Sequence, residues 1–150
     1  MSLIGAHYLL EMYGCPPEVI DDLERVRLAV RDAARTARCT VLHEAAHSFQ
    51  PQGVTALALL AESHISVHTW PELGYAAADV FTCGEQARPR DACEWLARAL
   101  QAGRFEIKAL ERGVQAPPER PLRVAEPTVA ATGPGLGSGL GPDEGQRDAG

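Results

Sequence analysis

The sequence predicts an α+β fold: a two-layer αβ sandwich whose mainly antiparallel sheet carries two helices on one face. Three observations lead there. The runs Val54 to Leu60, Ile65 to Trp70 and Tyr75 to Phe81 are rich in strand-forming residues and follow one another through turns of a few residues. Strands joined that closely pair antiparallel. Two segments with helical apolar spacing flank this block, and 150 residues that are 45% apolar can bury one modest core.

Taken in order, His7 to Tyr13 is a short apolar run ending at Gly14 and reads as the first strand. Asp21 or Asp22 caps a helix reaching about Arg38, with Leu23, Val26, Leu28, Val30 and Ala34 forming an imperfect apolar stripe. Thr40 to Leu42 is a short strand. The three central strands follow, separated by the turn signals Pro51-Gln52-Gly53 and Pro71-Glu72-Leu73-Gly74. Pro89 precedes a second helix, about Asp91 to Leu100, with Cys93, Leu96, Ala97 and Leu100 on one face. Phe105 and Ile107 suggest a last strand. The folded domain is placed at 1–112. Residues 113–150 contain Gly133-Pro134-Gly135-Leu136-Gly137-Ser138-Gly139 and are expected to form a disordered Gly/Pro-rich tail.

Composition removes several function classes. A formal net charge of -6 argues against a nucleic-acid partner, which calls for a basic face. No apolar run approaches the ~18 residues of a membrane span, and no signal-type N-terminus is visible, so a cytoplasmic location is expected. Cys15, Cys39, Cys83 and Cys93 are scattered without a CxxC pair, so no zinc site is expected. Lys108 is the only lysine and lies in a plain alternating segment, which disfavours a pyridoxal-phosphate enzyme.

The chemistry concentrates between Leu60 and Gly84. His64 and His68 point the same way on an extended strand but sit ~13 Å apart, too far to share a metal ion. Ser63 stands at a strand junction, where serine more often forms a turn than acts as a nucleophile. Cys83 ends a strand, where it could equally be packing or a cleft residue. Neither Ser63 nor Ser66 lies in a Gly-x-Ser-x-Gly elbow, so a Ser–His–Asp hydrolase is weakly supported. Each residue alone favours an ordinary structural role.

Together they resemble the bacterial S-adenosylmethionine decarboxylase proenzymes, the short pyruvoyl-dependent type. The resemblance runs from Gly5-Ala6-His7 and Tyr13-Gly14-Cys15 through Phe49-Gln50-Pro51-Gln52-Gly53-Val54-Thr55 to Ala61-Glu62-Ser63-His64-Ile65-Ser66-Val67-His68-Thr69-Trp70-Pro71-Glu72. It continues through Gly74 to Gly84 and so spans nearly the whole folded part.

The resemblance implies self-cleavage between Glu62 and Ser63, giving a beta chain of 1–62 and an alpha chain of 63–150. Ser63 would attack the Glu62 carbonyl and end as a covalent pyruvoyl group, with His68 accepting the α-proton during processing. That pyruvoyl group would form a Schiff base with S-adenosylmethionine, yielding S-adenosylmethioninamine and CO₂ for spermidine biosynthesis. Cys83 would return a proton to the substrate carbon. Ser63 and His68 lie ~16 Å apart on an extended strand, and the family answers this with sites formed between two protomers. The expected partner is therefore a second copy, in a homodimer of cleaved protomers. One would supply Ser63 and Cys83; the other would supply Phe49 to stack on adenine, Glu72 to bind the ribose hydroxyls, and Thr55 to assist processing. Ala56 departs from the glycine usual after Thr55, and the tail runs past the family's common end. A relative acting on arginine or ornithine, or an inactive regulatory homologue, are the alternative readings.

Overall fold

Alternation decides the middle of the chain. A computed structural model describes residues 4–113 and places Val54–Leu60, Ser63–Trp70 and Tyr75–Cys83 as consecutive antiparallel strands, numbered β3, β4 and β5. Along β4, Ile65, Val67 and Thr69 turn inward and are buried, while His64, Ser66, His68 and Trp70 turn to the other face. Gly5–Tyr13 forms β1 and pairs with β5; Arg104–Arg112 forms β6 and pairs with β1; Val41–Ser48 forms β2 and pairs with β3. The result is a six-stranded antiparallel sheet in the order β2-β3-β4-β5-β1-β6.

The helices cover one face of that sheet. In α2 (Leu23–Thr36) the Asp22 side chain accepts the Arg25 N–H at 3.0 Å, which caps the first turn. Val26, Ala29, Val30, Ala33 and Ala34 form its buried stripe, not the expected set that included Leu28, which is exposed. Small alanines let the helix sit close over β2, β3 and β4. On α3 (Pro89–Ala99) Cys93, Leu96 and Ala97 are buried together with Leu100, as the spacing predicted. Full burial of Leu10, Ile65 and Leu96 contributes ~1.5–3 kcal/mol each.

Three details differ from the sequence reading. Residues 17–20 form a one-turn helix, α1 (Pro17–Ile20), too short to leave a periodic signal. The strand expected at Thr40 to Leu42 extends to Ser48 as β2, because an edge strand with a polar outer side hides its apolar alternation. Its Glu44 faces α2 and is gripped by Arg31 at 2.6 Å and Arg27 at 2.8 Å, which fastens the edge to the helix. Pro89 is the first residue of α3 rather than its predecessor, since proline needs no N–H partner there. The expected tail, apart from Gly113, lies outside the described residues.

Among the described residues no helix lies on the outer face of the sheet. Its side chains align in rows across all the strands. One row reads His43, Leu59, His64, Phe81, His7 and Leu110, and another reads His47, Thr55, His68, Ala77, Glu11 and Glu106. These rows lie four residues apart along each strand, about 13 Å.

Candidate active site

The β3–β4 turn brings Glu62 and Ser63 against the end of β5. Two donors from one residue converge on the Glu62 carbonyl oxygen: the Cys83 backbone N–H at 2.9 Å and the Cys83 thiol at 3.0 Å. Both polarise the carbonyl that belongs to the Glu62–Ser63 bond, so its carbon is the electrophile of this corner. The Glu62 carboxylate is pinned separately by the Thr40 N–H at 2.9 Å. Ser63 itself has φ +144°, a value that L-residues rarely adopt and that costs of the order of 1–3 kcal/mol.

The Ser63 and His64 side chains also meet. Neighbouring residues on a regular strand point to opposite faces, yet Ser63 Oγ lies 3.3 Å from His64 Nδ1. The His64 ring meets the edge of Phe81, with centroids 5.9 Å apart, and stands 6.5 Å from His7. His7 Nε2 is 2.9 Å from Asp79, and its Nδ1 is 3.1 Å from the Arg112 guanidinium. Arg112 can only donate, so the His7 proton sits on Nε2 and is given to Asp79. Arg112 also lies over the Phe81 ring at 5.2 Å. The sequence reading assigned His7, Asp79 and Arg112 no role. Their assembly depends on the β5-β1-β6 register, which residue spacing along one strand does not reveal.

Behind this corner sits Cys39. Burial is the main cause that pushes its thiol up to about 11, with the negative charges of Glu62 and Cys83 adding to it. It is inert as a nucleophile near neutrality.

A second cluster occupies the other end of the sheet face. Phe49, Gln52, Thr55, His68, Trp70 and Glu72 line a depression of about 400 Å³. Thr55 and His68 are directly opposite each other on β3 and β4, and the Thr55 hydroxyl is 2.8 Å from His68 Nδ1. Gln52 donates to the Glu72 carboxylate at 3.2 Å. The loop bearing Phe49 and Gln52 is held by the Gly53 N–H, which Asp21 accepts at 2.8 Å. Gly53 has φ +103°, and a Cβ there would approach the Thr69 carbonyl to 3.0 Å, so only glycine closes this loop without strain. An aromatic ring at the rim, a carboxylate and a hydroxyl-anchored imidazole suit a flat, polar-edged ligand.

The predicted site residues therefore fall into two groups. Glu62, Ser63 and Cys83 meet at one corner; Phe49, Thr55, His68 and Glu72 meet at another. Within a single chain the structure does not bring Ser63 to His68. Among the described residues no three His, Cys, Asp or Glu side chains are grouped to hold a metal ion, and no helix is long and apolar enough to cross a membrane.

Comparison with known proteins gives one consistent picture. The family model for S-adenosylmethionine decarboxylase matches residues 6–113. A protein named S-adenosylmethionine decarboxylase proenzyme from Parasynechococcus marenigrum is 48% identical over 124 residues, covering 83% of this chain and 92% of that one. Its namesake from Moorella thermoacetica is 44% identical over 119 residues, covering 79% and 95%. The crystal structure of the adenosylmethionine decarboxylase from Aquifex aeolicus superposes with a TM-score of 0.72 at 36% identity, covering 81% of this chain and 99% of that one.

Proposed function

Because this chain belongs to the S-adenosylmethionine decarboxylase family, we propose that it is a self-processing decarboxylase. It cuts its own Glu62–Ser63 bond and then converts S-adenosylmethionine to S-adenosylmethioninamine and CO₂. The observation that carries this reading is the pair of Cys83 donors on the Glu62 carbonyl oxygen, beside a serine held at φ +144°.

Processing follows from that geometry. The Ser63 hydroxyl attacks the Glu62 carbonyl carbon while the Cys83 N–H and thiol stabilise the oxyanion. Collapse breaks the C–N bond and leaves an ester on the serine oxygen, relieving the backbone strain at Ser63. Removal of the Ser63 α-proton expels the Glu62 carboxylate, and the resulting dehydroalanine hydrolyses with loss of ammonia. Ser63 is thereby consumed as a covalent pyruvoyl group. The residues present suit its formation, since the chain supplies nucleophile, polarised carbonyl and donors at one corner.

His68 is the base for the α-proton, and its Nδ1 is fixed by Thr55. It acts on the serine of a neighbouring copy, because Ser63 and His68 are five steps apart along the strand, ~16 Å. The outer face, which no helix of the described residues covers, supports this assignment: Leu57, Leu59, Trp70 and Leu110 are exposed on it. Two copies packed face to face, as a homodimer, bring one chain's Ser63 and Cys83 to the other's His68 and Thr55. The depression beside His68 then takes the nucleoside, with Phe49 against adenine and Glu72 accepting from the ribose hydroxyls.

When formed, the pyruvoyl ketone supplies the electrophilic carbonyl and electron sink for loss of CO₂ from the bound amino acid. Cys83, at the same corner, holds the proton that the substrate carbon needs afterwards. The free thiols of Cys15, Cys39, Cys83 and Cys93 suit the reducing cytoplasm.

Denaturing electrophoresis of the purified protein should show fragments 1–62 and 63–150, and Ser63→Ala should stay full length. Carboxyl-labelled S-adenosylmethionine should release labelled CO₂. An uncleaved wild-type chain, or CO₂ from arginine or ornithine instead, overturns the reading.

A further inference from the structure

We propose that His64 is the general base that takes the hydroxyl proton of Ser63 in the first step of self-cleavage, a proposal that rests on the cleavage reading above. A serine hydroxyl is a weak nucleophile until a base accepts its proton. His68 is at the far end of the strand and its task is a carbon-bound proton in a later step. Among the described residues, the side chain in hydrogen-bond contact with Ser63 Oγ is His64, through Nδ1 at 3.3 Å.

The contact departs from regular strand geometry. On a regular strand the two side chains would point to opposite faces of the sheet. The φ of +144° at Ser63 acts on the other side of the residue: it sets the serine side chain relative to the preceding Glu62 carbonyl that it must attack. The backbone thus carries a cost of the order of 1–3 kcal/mol in an arrangement that sets the nucleophile against its electrophile, while the base stands 3.3 Å from the same hydroxyl. Phe81 and His7 bracket the imidazole, and His7 is itself fixed by Asp79 and Arg112. The ring is therefore preset with Nδ1 toward the hydroxyl, as a general base must be.

The step balances without any added reagent. The Ser63 O–H bond breaks and its proton goes to His64 Nδ1. The oxygen bonds to the Glu62 carbonyl carbon, whose oxygen takes the electron pair and is held by the two Cys83 donors. The C–N bond then breaks, and the proton on His64 passes to the departing Ser63 nitrogen. An amide has become an ester and an amine, and His64 is neutral again.

The test reads ester formation rather than decarboxylation. Met1 and Met12 are the chain's two methionines, so radiolabelled methionine in cell-free synthesis marks only the 1–62 part. His68→Ala blocks removal of the α-proton, so an ester that forms persists, and hydroxylamine cuts the ester but not the amide. Adding His64→Gly to that background should slow the appearance of hydroxylamine-cleavable chain by ~10²-fold, and added imidazole should restore part of the rate. His64→Gln, which keeps volume and an acceptor but cannot take the proton, should be equally slow with unchanged thermal unfolding. Equal rates with and without His64, or a loss that imidazole leaves untouched, overturn the proposal. Failure of the wild-type chain to cleave at all would instead sink the cleavage reading on which it rests.

Discussion

Replacing Thr55 by valine isolates the second half of the site. The change swaps a hydroxyl for a methyl of similar size on a strand that favours β-branched residues, so the fold should be kept. What is lost is the 2.8 Å contact to His68 Nδ1. A neutral hydrogen bond contributes ~0.5–1.5 kcal/mol net, and a half-buried imidazole nitrogen left without a partner costs ~1–3 kcal/mol. If ~1–2 kcal/mol of that appears in the α-proton step, processing slows by about 5- to 30-fold. The loss falls after ester formation, so the unprocessed chain should accumulate in a form that hydroxylamine cleaves. Thr55→Ser, which keeps the hydroxyl, should process near the wild-type rate. A time course in cell-free synthesis, quenched with and without hydroxylamine, reads both effects. Wild-type kinetics in Thr55→Val, or a backlog that resists hydroxylamine, would refute the positioning role.

Other outcomes follow from the same geometry. Leu57→Asp places a carboxylate on the outer sheet face; burying it without a partner costs upward of ~2 kcal/mol, so sedimentation should show monomers that do not process. Cys83→Ala removes the thiol but keeps the backbone donor on the Glu62 carbonyl. Cleavage should slow by about tenfold, below the ~10² of a strong oxyanion donor, while decarboxylation by the processed protein falls much further. Arg31, then Arg27, hold the Glu44 carboxyl below its ordinary range. Its folded-state value is depressed, so its contribution is present above the unfolded value of ~4.3 and fades as pH falls through the folded one. Glu44→Gln should lower stability by no more than about 1 kcal/mol at neutral pH, and the gap in unfolding midpoints should close in acid.

How far the sequence foretold this molecule differs by element. The hairpins of β3, β4 and β5 are legible because the strand-forming runs Val54 to Leu60, Ile65 to Trp70 and Tyr75 to Phe81 follow one another through short, marked turns. The edge strand β2 is only partly legible, since His43, Glu44 and His47 present no apolar stripe; its pairing with β3 and the Glu44 grip on α2 define it. The motif resemblance names the site residues and implies their division into two half-sites, but the contacts inside each corner rest on register. Thr55 meets His68 because β3 and β4 pair opposite those positions, which requires knowing the turn between them. The His7, Asp79 and Arg112 cluster needs three strands that are far apart in the chain. The unusual φ of Ser63 has no signature in residue type at all; serine does not announce it as glycine does at Gly53.

Mass spectrometry of the fragment beginning at residue 63 distinguishes a pyruvoyl terminus from a serine. The expected fragment is lighter than the serine-terminated peptide by one ammonia, carries a ketone that reacts with hydrazines, and resists Edman degradation. A fragment that begins with an intact serine, or a chain uncut at Glu62–Ser63, would contradict the self-processing reading.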